Sequence, residues 1–167
     1  VPQGQVGRIF VGNEMSFEGY TGGGGKDVID GLLSSGDVGH IDADGRLFVD
    51  GRDDEMIVSG GENVFPREVE DLLADLPGVI EVAVVGVADA EFGQRLKAYV
   101  VLDAGVKLSA EELSGHVKAN RAAGKALREG EVVDALPRNA TGKVLKRELK
   151  AREDQEQAPK AIESEQA

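Results

Sequence analysis

Between Gly51 and Val64 the chain reads GRDDEMIVSGGENV, and this stretch restricts the fold more than any other. A charged turn, a short apolar run and a glycine pair follow one another with no room for a regular helix. Met56, Ile57 and Val58 are too few for a stable helix, so they read as a short buried strand. Arg52, Asp53, Asp54 and Glu55 in front of them would by themselves be a solvated turn. Gly60-Gly61 would by itself be a bend. The flanking sequence has to decide whether the segment does more.

Length and charge narrow the function classes. At 167 residues with 41% hydrophobic side chains, the chain can bury a core, and it is one domain or one domain with part of another. A net charge of −12 excludes a general nucleic-acid binder and docking on anionic lipid, since both need clustered Lys and Arg. Without cysteine there is no disulfide, thiolate nucleophile or thiolate metal site. His40 and His116 are too few for a histidine-rich zinc site. No apolar run approaches the ~20 residues of a membrane span. No signal peptide stands at the start, so the expected address is cytoplasmic. Val1 opens at once on strand-like sequence, as expected of a piece of a longer protein.

Taken in order, Gln5–Val11 is expected to be a strand, Gly12–Tyr20 irregular and Thr21–Gly25 a glycine-rich loop. GGGGK invites a phosphate-loop reading, but that loop needs GxxxxGK followed by Ser or Thr. Here Asp27 follows Lys26, and Tyr20 takes the place of the first glycine. Lys26–Leu33 is expected to form a short helix. Asp44-Gly45 between alternating runs marks a hairpin, with Asp37 just before its first strand. Pro66 opens a helix whose Val69, Leu72, Leu73 and Leu76 share one face. Val79–Val87 and Leu96–Leu102 are Val-rich strands joined by a loop, Ala88–Arg95. Ser109 and Glu112 form a capping box on a second helix, where Leu108 staples onto Leu113, and Leu113 and Val117 are buried. His116 on this helix reads as structural or exposed. Glu131–Asp134 is a short strand, Leu136–Lys143 a loop bounded by Pro and Gly, and Val144–Lys150 a short helix. The acidic stretch 151–167 is expected to be a disordered tail. Together these elements predict an α+β fold, a small compact sheet flanked by helices and preceded by a β-rich segment.

Several stretches, in one order, resemble the C-terminal part of the acyl-adenylate-forming enzymes, specifically the fatty acyl-CoA ligases of the AMP-binding family. They are GRIFV with FEGY, SGDVG, GRLFVDGRDDEMIVSGGENVFPREVE, GVADAEFGQRLKAYVVL and LPRNATGKVLKREL, and they cover most of Gln5–Lys150. The pair of patterns GRxDxMIxxGGENxxPxEVE and PxNxxGKxxK is highly specific. TGGGGKDVIDGLLSSGDVG is similar to actinobacterial ligases.

The resemblance implies a role for five residues. Asp37 would accept hydrogen bonds from the ribose hydroxyls of ATP or AMP, as a carboxylate facing two vicinal hydroxyls can. Arg52 would meet the same ribose. Asp54 would be the hinge position between two half-reactions. Gly61 would let the pantetheine arm of CoA pass close to the backbone, where a Cβ would intrude. Lys143 would be the adenylation lysine, bridging the attacking carboxylate and the α-phosphate. ATP, CoA and Mg2+ are the implied cofactors, and a fatty acid or another carboxylate the substrate.

The sequence departs from the family pattern in two places. Ser34 and Ser35 stand where a basic residue and Thr often precede the GD of the ribose motif, and Arg121–Gly130 lacks the family's aromatic-Lys-Val-Pro sequence. Nor does anything in the chain match the family's phosphate loop, adenine pocket or acyl tunnel, which belong to a larger N-terminal domain. The expected organisation is therefore an N-terminal-domain remnant at 1–50, a hinge at 51–55, a C-terminal domain at 56–150 and the tail. Such a chain would be inactive alone and would work with its own N-terminal domain. Two alternatives stay open: a non-catalytic interaction or regulatory module, and a piece of an adenylating enzyme that loads a carrier protein.

Overall fold

The computed structural model describes residues 1–12, 27–120 and 127–164, with side chains through residue 155. Its elements are α+β, and they fall into two units, Val1–Met56 and Ile57–Ala167.

One long strand, β3 (Leu32–Ile41), organises the first unit. It pairs antiparallel with β1 (Gly7–Val11), with the short β2 (Val28–Ile29) and with β4 (Leu47–Arg52). The Asp44-Gly45 hairpin is present: Ile41 faces Leu47, and Asp42 closes the turn by accepting from the Asp44 and Arg46 amides. The helix expected over Lys26–Leu33 does not form, and Lys26 itself lies outside the described residues. Val28 and Ile29 are β-branched, and Asp30 and Gly31 both take positive φ (50° and 78°), which makes a hairpin turn instead. Val38 is the buried hydrophobic residue of this sheet, whereas Val28, Ile29, Leu32, Ile41, Leu47, Phe48 and Val49 are exposed. After β4 the chain makes a 3-10 turn, Asp53–Glu55.

A long hairpin forms the spine of the second unit, β7 (Val79–Asp89) against β8 (Gly93–Leu102). The loop expected over Ala88–Arg95 shrinks to Ala90–Phe92, because the pairing continues to Asp89 and Gly93. The strand expected at Glu131–Asp134 begins earlier, as β9 (Leu127–Val132), and lies parallel to β8. β5 (Ile57–Ser59) and β6 (Glu62–Val64) form a hairpin whose β5 meets β8 at Ser59 and Gly93.

Alternation along β7 and β8 explains their near-continuous apolar sequence, because both faces are covered. Val84, Leu96, Ala98 and Val100 pack with Val69 and Leu73 of α1 (Pro66–Ala74) and with Leu113 and Val117 of α2 (Ala110–Ala119). Ala83, Val85, Val87 and Tyr99 point the other way, toward Leu136 and toward Leu149 of α3 (Lys146–Ser164). The Ser109–Glu112 capping box is present in full. The His116 ring contacts the Leu72 carbonyl at 3.1 Å and so ties α2 to α1.

α3 does not stop at Lys150, as the sequence reading has it, but runs to Ser164. The apolar pattern ends at Leu149, yet the next turn still carries a buried side chain, Glu153, which is held by polar partners. Residues 165–167, the TGGGG loop and residues 121–126 of the Arg121–Gly130 segment lie outside the described residues. Among the described residues no helix is long and apolar enough to cross a membrane.

Candidate functional site

Asp37, Arg52 and Asp54 come together in the first unit. Asp37 on β3 is the cross-strand partner of Arg52 on β4. The Arg52 guanidinium lies 3.5 Å from Asp37 Oδ1 through Nη1 and 3.2 Å from Asp54 Oδ1 through Nε. Its pKa rises, mostly through the hydrogen bond to Asp54 and less through Asp37. Gly36 takes a φ of 84°, which favours glycine, and a Cβ there would stand 3.0 Å from Arg52 Nη1 and crowd the guanidinium.

The two serines that depart from the family pattern brace this corner. Ser34 Oγ accepts from the Gly36 amide at 3.2 Å. Ser35 Oγ accepts from the Asp37 amide at 3.1 Å and donates to the Ile9 carbonyl, also at 3.1 Å. Arg8 on β1, for which no local sequence pattern signals a role, pairs with Asp53 of the 3-10 turn at 3.2 Å and with Asp27 at 2.6 Å. Every polar side chain named here except Ser34 is at least partly open to water, the Asp37 carboxylate included.

Gly61 and Lys143 belong to the second unit. Gly60-Gly61 forms the two-residue turn of the β5–β6 hairpin, with φ 58° and 83°. Around Gly61 there is open space where a Cβ would stand. The turn lies at the Asp89–Gly93 end of the sheet, where the Gly60 amide donates to the Phe92 carbonyl at 3.0 Å.

Lys143 is exposed, and among the described residues it makes no ion pair. It ends a small closed loop. Arg138 and Val144 form a bridge at the neck, and the Leu145 amide donates to the Pro137 carbonyl at 2.8 Å. Inside the loop Asn139 Oδ1 accepts from the Thr141 amide at 3.0 Å, the Thr141 hydroxyl at 2.8 Å and the Lys143 amide at 2.8 Å. Arg138 donates to the Gly142 carbonyl at 2.5 Å and pairs with Glu81 at 2.6 Å. Glu81 and Asp89 are eight positions apart on β7, which is about 26 Å of extended strand. Gly61 and Lys143 therefore sit at opposite ends of one sheet.

A second charged cluster has no counterpart in the sequence reading. Lys97 on β8 is buried, and its ammonium contacts Glu129 at 3.2 Å, Glu131 at 2.7 Å and the buried Glu153 of α3. The Tyr99 hydroxyl donates to the same Glu153 oxygen at 2.7 Å. Burial by itself would lower the Lys97 pKa, but hydrogen bonds to Glu131, Glu153 and Glu129 outweigh it and hold the ammonium above the usual lysine range. Burial would raise Glu153, but hydrogen bonds from Lys97 and Tyr99 bring it below its ordinary value. A lone Lys inside a Val-rich strand was the available signal, because a buried ammonium requires partners.

Residues 68–143 match the AMP-binding enzyme C-terminal domain. The chain is 38% identical over 154 residues to the sulfoacetate–CoA ligase of Cupriavidus necator, covering 89% of this chain and 30% of that one. It is 36% identical over 155 residues to the fatty acid–[acyl-carrier-protein] ligase ScoC of Streptomyces coeruleorubidus, covering 91% and 30%. The crystal structure of ATP-bound MatB from Rhodopseudomonas palustris superposes with a TM-score of 0.79 at 35% identity, over 91% of this chain and 31% of that one. The chain thus spans about 30% of the length of the curated relatives it matches.

Proposed function

From its place in the AMP-binding enzyme family, whose C-terminal domain it carries, we propose that this chain is the hinge-and-lysine portion of an ATP-dependent ligase joining a carboxylic acid to CoA. In this reading the acid attacks the α-phosphate of ATP, giving acyl-AMP and pyrophosphate, and the CoA thiol then displaces AMP. Lys143 supplies the positive charge for the first step, where charge builds between the attacking carboxylate and the α-phosphate. Asp37 holds the ribose hydroxyls with Arg52 beside it, Asp54 is the hinge, and Gly61 serves the CoA step.

The placement of Lys143 and Gly61 at opposite ends of β7 supports this reading most directly. A rigid unit with that spacing brings one or the other to a single reaction centre, so the two steps require two orientations. Among the described residues no three His, Asp or Glu side chains group to hold a metal ion. Mg2+ is proposed as the companion of the ATP phosphates. A fatty acid is the proposed substrate, the chain's own N-terminal domain the partner that brings the nucleotide and acyl pockets, and the cytoplasm the place. The chain alone would be inactive. A carrier protein in place of CoA is the second reading, drawn from the likeness to the Streptomyces ligase; thioester formation on CoA against a carrier protein separates the two.

Lys143→Ala in the full-length protein tests the proposal. Pyrophosphate release should fall on the order of 10²–10³-fold, while thioester formation from supplied acyl-AMP stays near wild type. Equal loss in both half-reactions, with the fold intact by circular dichroism, would refute the assignment.

A further inference from the structure

The loop that ends in Lys143 is fastened on both shoulders to residues that line one edge of the sheet. Before the loop, Arg138 spans from the Gly142 carbonyl to Glu81 of β7. After it, Lys146 at the start of α3 pairs with Glu70 of α1 at 2.9 Å. The same Glu70 oxygen accepts from the Val84 amide of β7 at 2.8 Å. β7 pairs with β8 alone among the described strands, so these contacts lie along its outer edge. Between the shoulders, the Asn139 carboxamide fixes the backbone up to the Lys143 amide. A long flexible lysine on a free loop would sample many positions, and rate depends steeply on holding the charged group within about an ångström of its task.

We infer that Arg138 and Glu81, with Lys146 and Glu70 on the far side, are positioning residues that set the reach of Lys143. This rests on the role given to Lys143 above. Arg138 is the central member, because its planar fork serves the loop carbonyl and the Glu81 carboxylate at once. A lysine there can keep the charge but not both bonds. Neither Glu81 nor Arg138 needs to touch a substrate for the effect, which runs through the Gly142–Lys143 backbone.

The test uses the full-length protein and five variants: Lys143→Ala, Arg138→Ala, Arg138→Lys, Glu81→Ala and the double Arg138→Ala/Glu81→Ala. Arg138→Ala and Glu81→Ala should each lower the kcat of acyl-AMP formation roughly 10- to 100-fold, with KM for ATP and thioester formation from supplied acyl-AMP within about twofold of wild type. The double variant should be no worse than Arg138→Ala, since both act through one contact. Amide exchange at Gly142 and Lys143 should rise about tenfold, while Val82–Val85 stay protected. Arg138→Lys should recover part of the rate. Wild-type adenylation in Glu81→Ala and Arg138→Ala, beside a selective loss in Lys143→Ala, would overturn the clamp and leave the lysine's role standing. Equal loss of both half-reactions in the clamp variants would also overturn it. Normal adenylation in Lys143→Ala would overturn both.

Discussion

Arg52 and Lys97 each face more than one carboxylate, in opposite surroundings. The Arg52 side chain is 49% exposed, between Asp37 at 34% and Asp54 at 71%. The Lys97 side chain is 3% exposed, and Glu153 facing it 5%. In water the Coulomb gain is screened and offset by side-chain entropy, so the Arg52 cluster contributes little to stability and leaves its polar groups open to a ligand. Inside the sheet–helix interface every unpaired charge is costly, so the Lys97 cluster is committed to holding α3 on β8 and β9. The lesson is that a count of ion pairs says nothing of role; burial decides which cluster is structure and which can be a site.

The sharpest break is Glu153→Ala. It removes the one buried carboxylate facing Lys97, which keeps Glu129 and Glu131, and strands the Tyr99 hydroxyl, so it should cost roughly 1–3 kcal/mol in a urea denaturation. The same variant should release the end of α3, read as increased amide exchange beyond Leu149. Replacing Lys97 by Met, Glu153 by Leu and Tyr99 by Phe together should cost less, since neither a buried charge nor the hydroxyl is then stranded. If Glu153→Ala were neutral, the cluster would be a surface feature like that of Arg52.

The pH dependence sharpens the contrast next. Glu153 and Glu129 have folded pKa values below their ordinary ones, so their contribution is present above the usual glutamate range and is lost as pH falls through the lowered values. Lys97 and Tyr99 are raised, so theirs is present below their ordinary values and is lost as pH rises through the raised ones. Stability should therefore be level between about pH 5 and 10 and fall on both sides. Glu153→Gln should flatten part of the acid limb in denaturation curves collected below about pH 5.

The smallest stability effect is expected at Arg52. Arg52→Ala should change unfolding free energy by no more than about 1 kcal/mol, and should weaken nucleotide-dependent acyl-AMP formation in the full-length protein. A large loss of stability with unchanged KM for ATP would reverse the comparison.

Much of this was legible in the sequence because the causes are local. The capping box at Ser109, Pro66 at a helix start, the Asp44-Gly45 turn and the Val-rich alternation of β7 and β8 each depend on neighbours within a few residues. The misreadings have the same origin. Lys26–Leu33 carries helix-compatible residues, but the turn at Asp30-Gly31 with positive φ decides it, and the strand extensions to Asp89 and Gly93 depend on cross-strand pairing that no short window contains.

By itself the sequence determined which residue types stand at Asp37, Arg52, Asp54, Gly61 and Lys143, and the α+β succession that carries them. The tertiary structure decided what each can reach. It set Arg52 between Asp37 and Asp54 by strand register, put Gly61 and Lys143 at opposite ends of β7, and buried Glu153 fifty-six positions from Lys97. Only folding decides these, because pairing and burial join residues far apart in the chain. The worth of a charge depends on the dielectric around it, which the sequence does not carry.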